Sequence, residues 1–253
     1  MRTFFILLTK ELRGFFVSPV AYIVLGLVMA LNGIAFNASV SFLMNGPPSS
    51  GSLVTWTFQG PWFYLCYFAI FPLITMRLFA EEQRLGTLET MLTAPVRASQ
   101  LVLAKFAAAT LFYAILWVPS LANFYIFQWV TAGAAEIPGG ALAGSYIIVM
   151  AMGVFNIALG CFASSLTSSQ LVAAILCFTM SVLHFLVGLF ATTAKTEIPE
   201  ALKNLIRYFS SSEHIQTFSS GLIDTRPLVY YITLAIVFLT LTHQVLEYRR
   251  WKV

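Results

Sequence analysis

Charge is what this chain has least of. Asp, Glu, Lys and Arg make up 9% of its 253 residues, against about 25% in an ordinary soluble domain. None of the four occurs in residues 14–76, 106–135, 137–194 or 227–246. A charge near the bilayer centre costs roughly 2.5–3.5 kcal/mol on insertion scales, so gaps of this length mark segments that sit in lipid. Cysteine is also scarce. Cys66, Cys161 and Cys177 lie inside apolar runs, at spacings that exclude a zinc site and a disulfide framework, and they read as small packing residues. The phosphate loop G-x-x-x-x-G-K-[ST] is missing, and no polar stretch is long enough for a nucleotide-binding domain, which excludes an ATPase within the chain. No small-residue cleavage site follows the first apolar run, so a secretory signal peptide is not expected. There is no repeat with a period of 20–50 residues and no long low-complexity tract.

What the chain does have is apolar length. Hydrophobic residues reach 59%, more than a soluble fold of this size could hide. The runs predict six spans, at residues 20–42, 61–79, 100–130, 141–163, 170–192 and 227–246. At about 1.5 Å per residue each crosses the roughly 30 Å hydrocarbon core. Pro72 and Pro119 are expected to kink the second and third. Between the first two spans, residues 45–60 read as a polar loop. Six spans put both termini on one side. That side receives Arg2, Lys10, Arg13, Arg77, Arg84, Arg97, Lys105, Arg249, Arg250 and Lys252; the other receives Lys195, Lys203, Arg207 and Arg226. The excess of Lys and Arg predicts cytoplasmic termini in a multi-pass protein of the bacterial inner membrane. The net charge of +4 reflects this sidedness and calls for no nucleic acid.

Two amphipathic segments flank the spans. In residues 2–16, Phe4, Leu7, Leu8, Glu11, Leu12, Phe15 and Phe16 fall on one helical stripe, predicting a helix that lies in the membrane interface. Ser18-Pro19 then turns the chain into the bilayer. On the outer side, Ile198, Leu202, Leu205, Ile206 and Phe209 form a second stripe with Pro199 at a helix start. Within the spans, Asn32, Asn37, Asn123, Asn156, His184 and His243 each need a partner, and hydrogen bonding between helices is the favoured reading. Ser181 and His184 stand one turn apart, but no nucleophile motif frames the serine. Gly153 and Gly160, with Ala151 and Ala158, allow close helix approach, within one subunit or between two.

The loop after the second span holds most of the charge of the membrane body. Residues 77–105 read RLFAEEQRLGTLETMLTAPVRASQLVLAK. Leu85, Leu88 and Leu92 recur at i, i+3 and i+7, predicting a short amphipathic helix over 80–95 that Pro95 ends. Periodicity alone is equally met by a solvated surface helix. Glu81-Glu82-x-Arg84-x-Gly86-Thr87-Leu88-Glu89, then Leu92-Thr93-Ala94-Pro95-Val96 and Leu103 to Lys105, resemble the signature of ABC-2 type permeases. The opening Lys10-Glu11-Leu12-Arg13 through Ser18-Pro19-x-Ala21-Tyr22, and the closing Gly221-Leu222-Ile223-Asp224, Tyr230-Tyr231 and Glu247-x-Arg249-Arg250-Trp251, resemble the gliding-motility-associated branch.

The resemblance implies one all-α permease domain over residues 1–253: an N-terminal elbow helix, six transmembrane helices, a coupling helix between spans two and three, and a helical extracytoplasmic segment between spans five and six. It further implies that an ATP-binding subunit, holding ATP and Mg, docks in trans on that coupling helix. Leu85, Leu88 and Leu92 would anchor it, Glu81, Glu82, Arg84 and Glu89 would set its register beside Thr87, and Gly86 would permit close backbone approach. A second permease subunit, membrane lipid and an extracytoplasmic auxiliary subunit complete the expected partners, and export is the expected direction. A secondary transporter or channel would need charges inside the spans for ion coupling, and none is expected there. A membrane scaffold that passes force outward would use the same coupling helix.

Overall fold

The computed structural model describes residues 2–45, 51–93, 97–132, 137–193 and 208–250. Every regular element among them is a helix. They run α1 (Arg2–Val17), α2 (Pro19–Asn45), α3 (Leu53–Gln59), α4 (Pro61–Thr75), α5 (Ala80–Arg84), α6 (Thr87–Thr93), α7 (Ala98–Val130), α8 (Gly139–Leu166), α9 (Gln170–Thr193), α10 (Ser211–Ser219) and α11 (Thr225–Arg250). Six stretches are long and apolar enough to cross a membrane: α2, α4 together with α5, α7, α8, α9 and α11. Five of the spans extend at most four residues past either of their expected ends. The second is regular only to Thr75, where a turn over 76–79 leads into α5.

The most buried of the six spans is α8, which packs against α4, α7, α9, α10 and α11. Its small residues explain why. A β-carbon on Gly153 would strike the Tyr113 ring of α7, and one on Gly160 would strike Thr75 of α4. The glycines therefore serve packing within this chain. Several polar side chains of the spans are bonded within the bundle, as apolar surroundings favour. Asn156 Nδ2 donates to Tyr67 Oη at 2.8 Å and to Met152 O at 2.9 Å. Tyr113 Oη donates to Val149 O at 3.0 Å. His184 Nε2 meets Tyr230 Oη at 2.8 Å rather than Ser181. All three cysteines are buried and free.

One helix departs from the sequence reading, and another falls in the segment expected to be helical but beyond the residues of its apolar stripe. The stretch taken as a polar loop contains α3, capped by Ser52 Oγ, which accepts from Thr55 N at 3.2 Å. Its Phe58 is buried among Phe63, Trp117, Phe124 and Tyr146. Between α9 and α11 the chain dips back as α10, with His214, Ile215 and Phe218 buried. Gly144 and Gly188 let it in, because a β-carbon at either would collide with the backbone at Phe218 or at Phe209-Ser210. Gln59 Nε2 donates to Ser219 Oγ at 3.3 Å, joining α3 to α10 over this end of the bundle. The stripe of Ile198, Leu202, Leu205 and Ile206 lies outside the described residues; its last member, Phe209, packs edge-on against Tyr230.

Candidate functional site

The segment joining α4 to α7 folds as two short helices, not as one helix over 80–95. Leu85 ends α5 by donating its N–H to Glu81 O at 3.0 Å, and Gly86 reverses the chain with φ +69°. That left-handed backbone suits glycine, and nothing among the described residues would approach a β-carbon placed there. The start of α5 is held by α8. Ser164 Oγ accepts from Phe79 N at 3.1 Å and Ala80 N at 3.0 Å. Gln83 Nε2 donates to Ser165 O at 2.9 Å, and the same carbonyl accepts from Arg249 Nη2 of α11 at 3.1 Å.

A cluster of four charges ties the segment to α1 and α7. Lys105, 2% exposed, reaches Glu82 Oε1 at 2.9 Å and Glu11 Oε1 at 3.1 Å. Lys10 lies 3.6 Å from each of the same two oxygens. The Lys105 ammonium also stands 5.5 Å from the centre of the Phe79 ring, a favourable cation–π position. Burying such groups is costly unless each charge is matched, so the cluster holds its elements in one arrangement even where it adds little net stability. Lys105 lies inside α7, so the spans do contain a charge. With two carboxylates against it and an apolar shell, it is fixed as a structural cation.

The expected docking residues divide between two faces. Arg84, Leu85, Gly86, Thr87 and Glu89 are exposed, with Leu85 62% accessible. Leu88 is 3% accessible and belongs to the hydrophobic core, with Met91 packed beside it. Leu85 and Leu88 therefore do not form one outward stripe: the break at Gly86 turns them apart, and the bundle covers Leu88. The backbone of Leu92 ends α6, while its side chain lies outside the described residues. Glu82 faces inward to Lys105, and Glu81 lines a cavity between α1, α2 and α4.

Residues 57–242 match a family model described as an ABC-2 family transporter protein. The chain belongs to the ABC-2 transporter family. The match runs from α3 into α11 and so takes in the α5–α6 segment and the last five spans. No curated protein matches the chain. As an ABC-2 permease domain it is the membrane component of an ABC transporter and not itself the ATPase.

Sequence reasoning missed the inward half of this site: Lys10, Glu11 and Lys105, with Gln83, Ser164, Ser165 and Arg249. Two signals were present. Glu11 stands on the apolar stripe of α1, where a carboxylate is out of place unless paired. Lys105 falls beyond the first turn of an otherwise apolar span.

Proposed function

We propose that this ABC-2 protein is the permease subunit of an ATP-driven exporter, worked by a separate ATP-binding subunit that docks on the exposed rim of α5 and α6. One observation carries the reading. Arg84, Leu85, Thr87 and Glu89 face outward, while the inner side of the same segment is bonded to α1 and α7 through Glu82 and to α8 through Gln83 and the backbone N–H groups that Ser164 accepts. Force applied at the rim would thus reach several helices at once, as rigid-body rocking requires. Leu85 supplies the apolar anchor and Arg84 and Glu89 a polar surround, the anatomy of a docking hot spot. The partner would hold the ATP and Mg.

The distribution of Lys and Arg supports cytoplasmic placement of this end, in a bacterial inner membrane. One docking segment per chain, set against ATPases that act in pairs, supports a dimer of permease subunits. The terminal motifs favour the gliding-motility-associated branch, with an extracytoplasmic auxiliary subunit and an envelope-related cargo. A protein that transmits ATP-driven force across the membrane without moving cargo would use the same rim.

Co-purification with the ATPase tests the docking. Leu85→Asp places a charge on the exposed anchor and is expected to weaken the complex by at least ~10-fold, about 1.4 kcal/mol or more, and to abolish stimulated ATP turnover with thermal stability unchanged. An intact complex with undiminished stimulation would sink the assignment. Leu85→Cys should be labelled from the cytoplasmic side only.

A further inference from the structure

Beside the charge cluster lies a cavity of about 300 Å³ between α1, the start of α2, the end of α4 and the start of α5. Its size is at the lower end of small-molecule sites, which run about 300–1,000 Å³. One wall is apolar: Phe15, Val20, Ala21, Val24, Leu73 and Ile74. The other is charged, and its charges are not equally engaged. Lys10 and Lys105 are matched by Glu11 and Glu82. That leaves Arg77 and Glu81, both lining the cavity. Arg77 Nη1 donates to Ser18 Oγ at 3.3 Å, but its Nε is buried without any hydrogen-bond partner. The Glu81 carboxylate has no ion-pair or hydrogen-bond partner among the described residues. Buried donors are rarely left unsatisfied, and an orphaned guanidinium nitrogen calls for an acceptor.

We infer that this cavity binds a zwitterionic phospholipid of the phosphatidylethanolamine type, its phosphate on Arg77, its ammonium on Glu81 and part of an acyl chain along the apolar wall. The guanidinium fork suits a phosphate. An unpaired carboxylate four residues further along the chain, at the start of α5, suits the ammonium. Because the four remaining charges cancel, a singly anionic lipid lacks a counterpart for Glu81 and is disfavoured. Exposed Gly14 and Leu85 border the cavity and leave a way in.

The test is native mass spectrometry on the whole chain in a nonionic detergent, titrated separately with phosphatidylethanolamine, phosphatidylglycerol and soluble glycerophosphoethanolamine. It needs no ATPase, so its outcome is separate from that of the docking test. The expected result is phosphatidylethanolamine binding ~10-fold tighter than phosphatidylglycerol, with the soluble headgroup at least ~100-fold weaker because it buries no chain. Arg77→Gln should weaken both lipids by ~10-fold or more. Glu81→Gln should remove the preference between them without abolishing binding; its accessible side chain makes it the safer variant should Arg77→Gln fail to fold. Equal affinity for both lipids in the unaltered chain, or a preference that survives Glu81→Gln, overturns the assignment. Equally tight binding of the soluble headgroup would make the cavity a phosphate-ester site instead of a lipid site.

Discussion

At the end of the bundle where α5 lies, buried side chains meet as ions: Lys105 with Glu11 and Glu82, and Lys10 beside them. At the opposite end they meet as neutral partners: His214 Nδ1 with Tyr231 Oη at 3.0 Å, Tyr231 with Ser211 Oγ at 3.1 Å, and His184 with Tyr230. Both networks sit in an apolar bundle and both join elements far apart in sequence, yet they behave differently when disturbed. A buried ion stripped of its partner has no cheap alternative, whereas a neutral donor or acceptor forfeits one hydrogen bond. The ionic end is therefore suited to holding one geometry under load. The neutral end, built of Tyr, His and Ser around a helix that dips between two glycines, can loosen in small steps.

The sharpest way to break this contrast is Lys105→Met. It leaves Glu11 and Glu82 facing each other with only the half-exposed Lys10 between them, and should lower unfolding stability in detergent by about 3–5 kcal/mol. Adding Glu11→Gln and Glu82→Gln to the same chain should recover most of that loss, since the charges then vanish together. A single variant within about 0.5 kcal/mol of the parent chain would show that the four groups are solvated and that the ionic end is no different from the other.

A smaller effect is expected from acid at the neutral end. Burial pushes the His214 imidazole down from 6.5 to about 4, against a weaker upward pull from Asp224. A folded-state value below the unfolded one means that the unfolded chain takes up the proton first as pH falls. The contribution is thus fully present above about 6.5, is lost progressively toward 4, and amounts to at most about 3 kcal/mol. Glu213 and Asp224 share the cavity around His214, and Tyr230 and Tyr231 pack against its ring. Protection of the α10 amides, taken as exchange relative to the intrinsic rate at each pH, should fall over that window, and His214→Gln should flatten the response. Protection that is the same at both ends of the window in the unaltered chain would remove the imidazole from any role in holding α10.

The six spans were legible because lipid imposes a rule on composition that acts residue by residue: charge stays out and apolar length stays in. The segment between the second and third spans was legible as a place and not as a shape. A period of three to four says which residues share a face, but not which face the bundle covers, so Leu88 was read as an outward anchor when it is a core residue. Gly86 was read for close approach, and the structure uses its positive φ. The helices α3 and α10, of seven and nine residues, are too short for periodicity to rise above a polar background. The pairing of Lys105 with Glu11 leaves almost no local trace, because the two stand far apart in sequence and meet only once α1 packs on α7.

The finest probe of the contrast is Tyr231→Phe, which removes one oxygen and nothing else. Tyr231 is fully buried, and its hydroxyl donates to Ser211 Oγ, so toward His214 it acts as the acceptor and Nδ1 carries the proton. Phenylalanine keeps the ring packing against Phe155 and His214 but leaves that N–H without an acceptor. The cost should be about 1–2 kcal/mol, one unsatisfied buried donor. The imidazole can reduce it by moving its proton to the other nitrogen, a retreat that Lys105 does not have. If Tyr231→Phe proved as damaging as Lys105→Met, the neutral network would be as unforgiving as the ionic one, and the distinction between the two ends would fail.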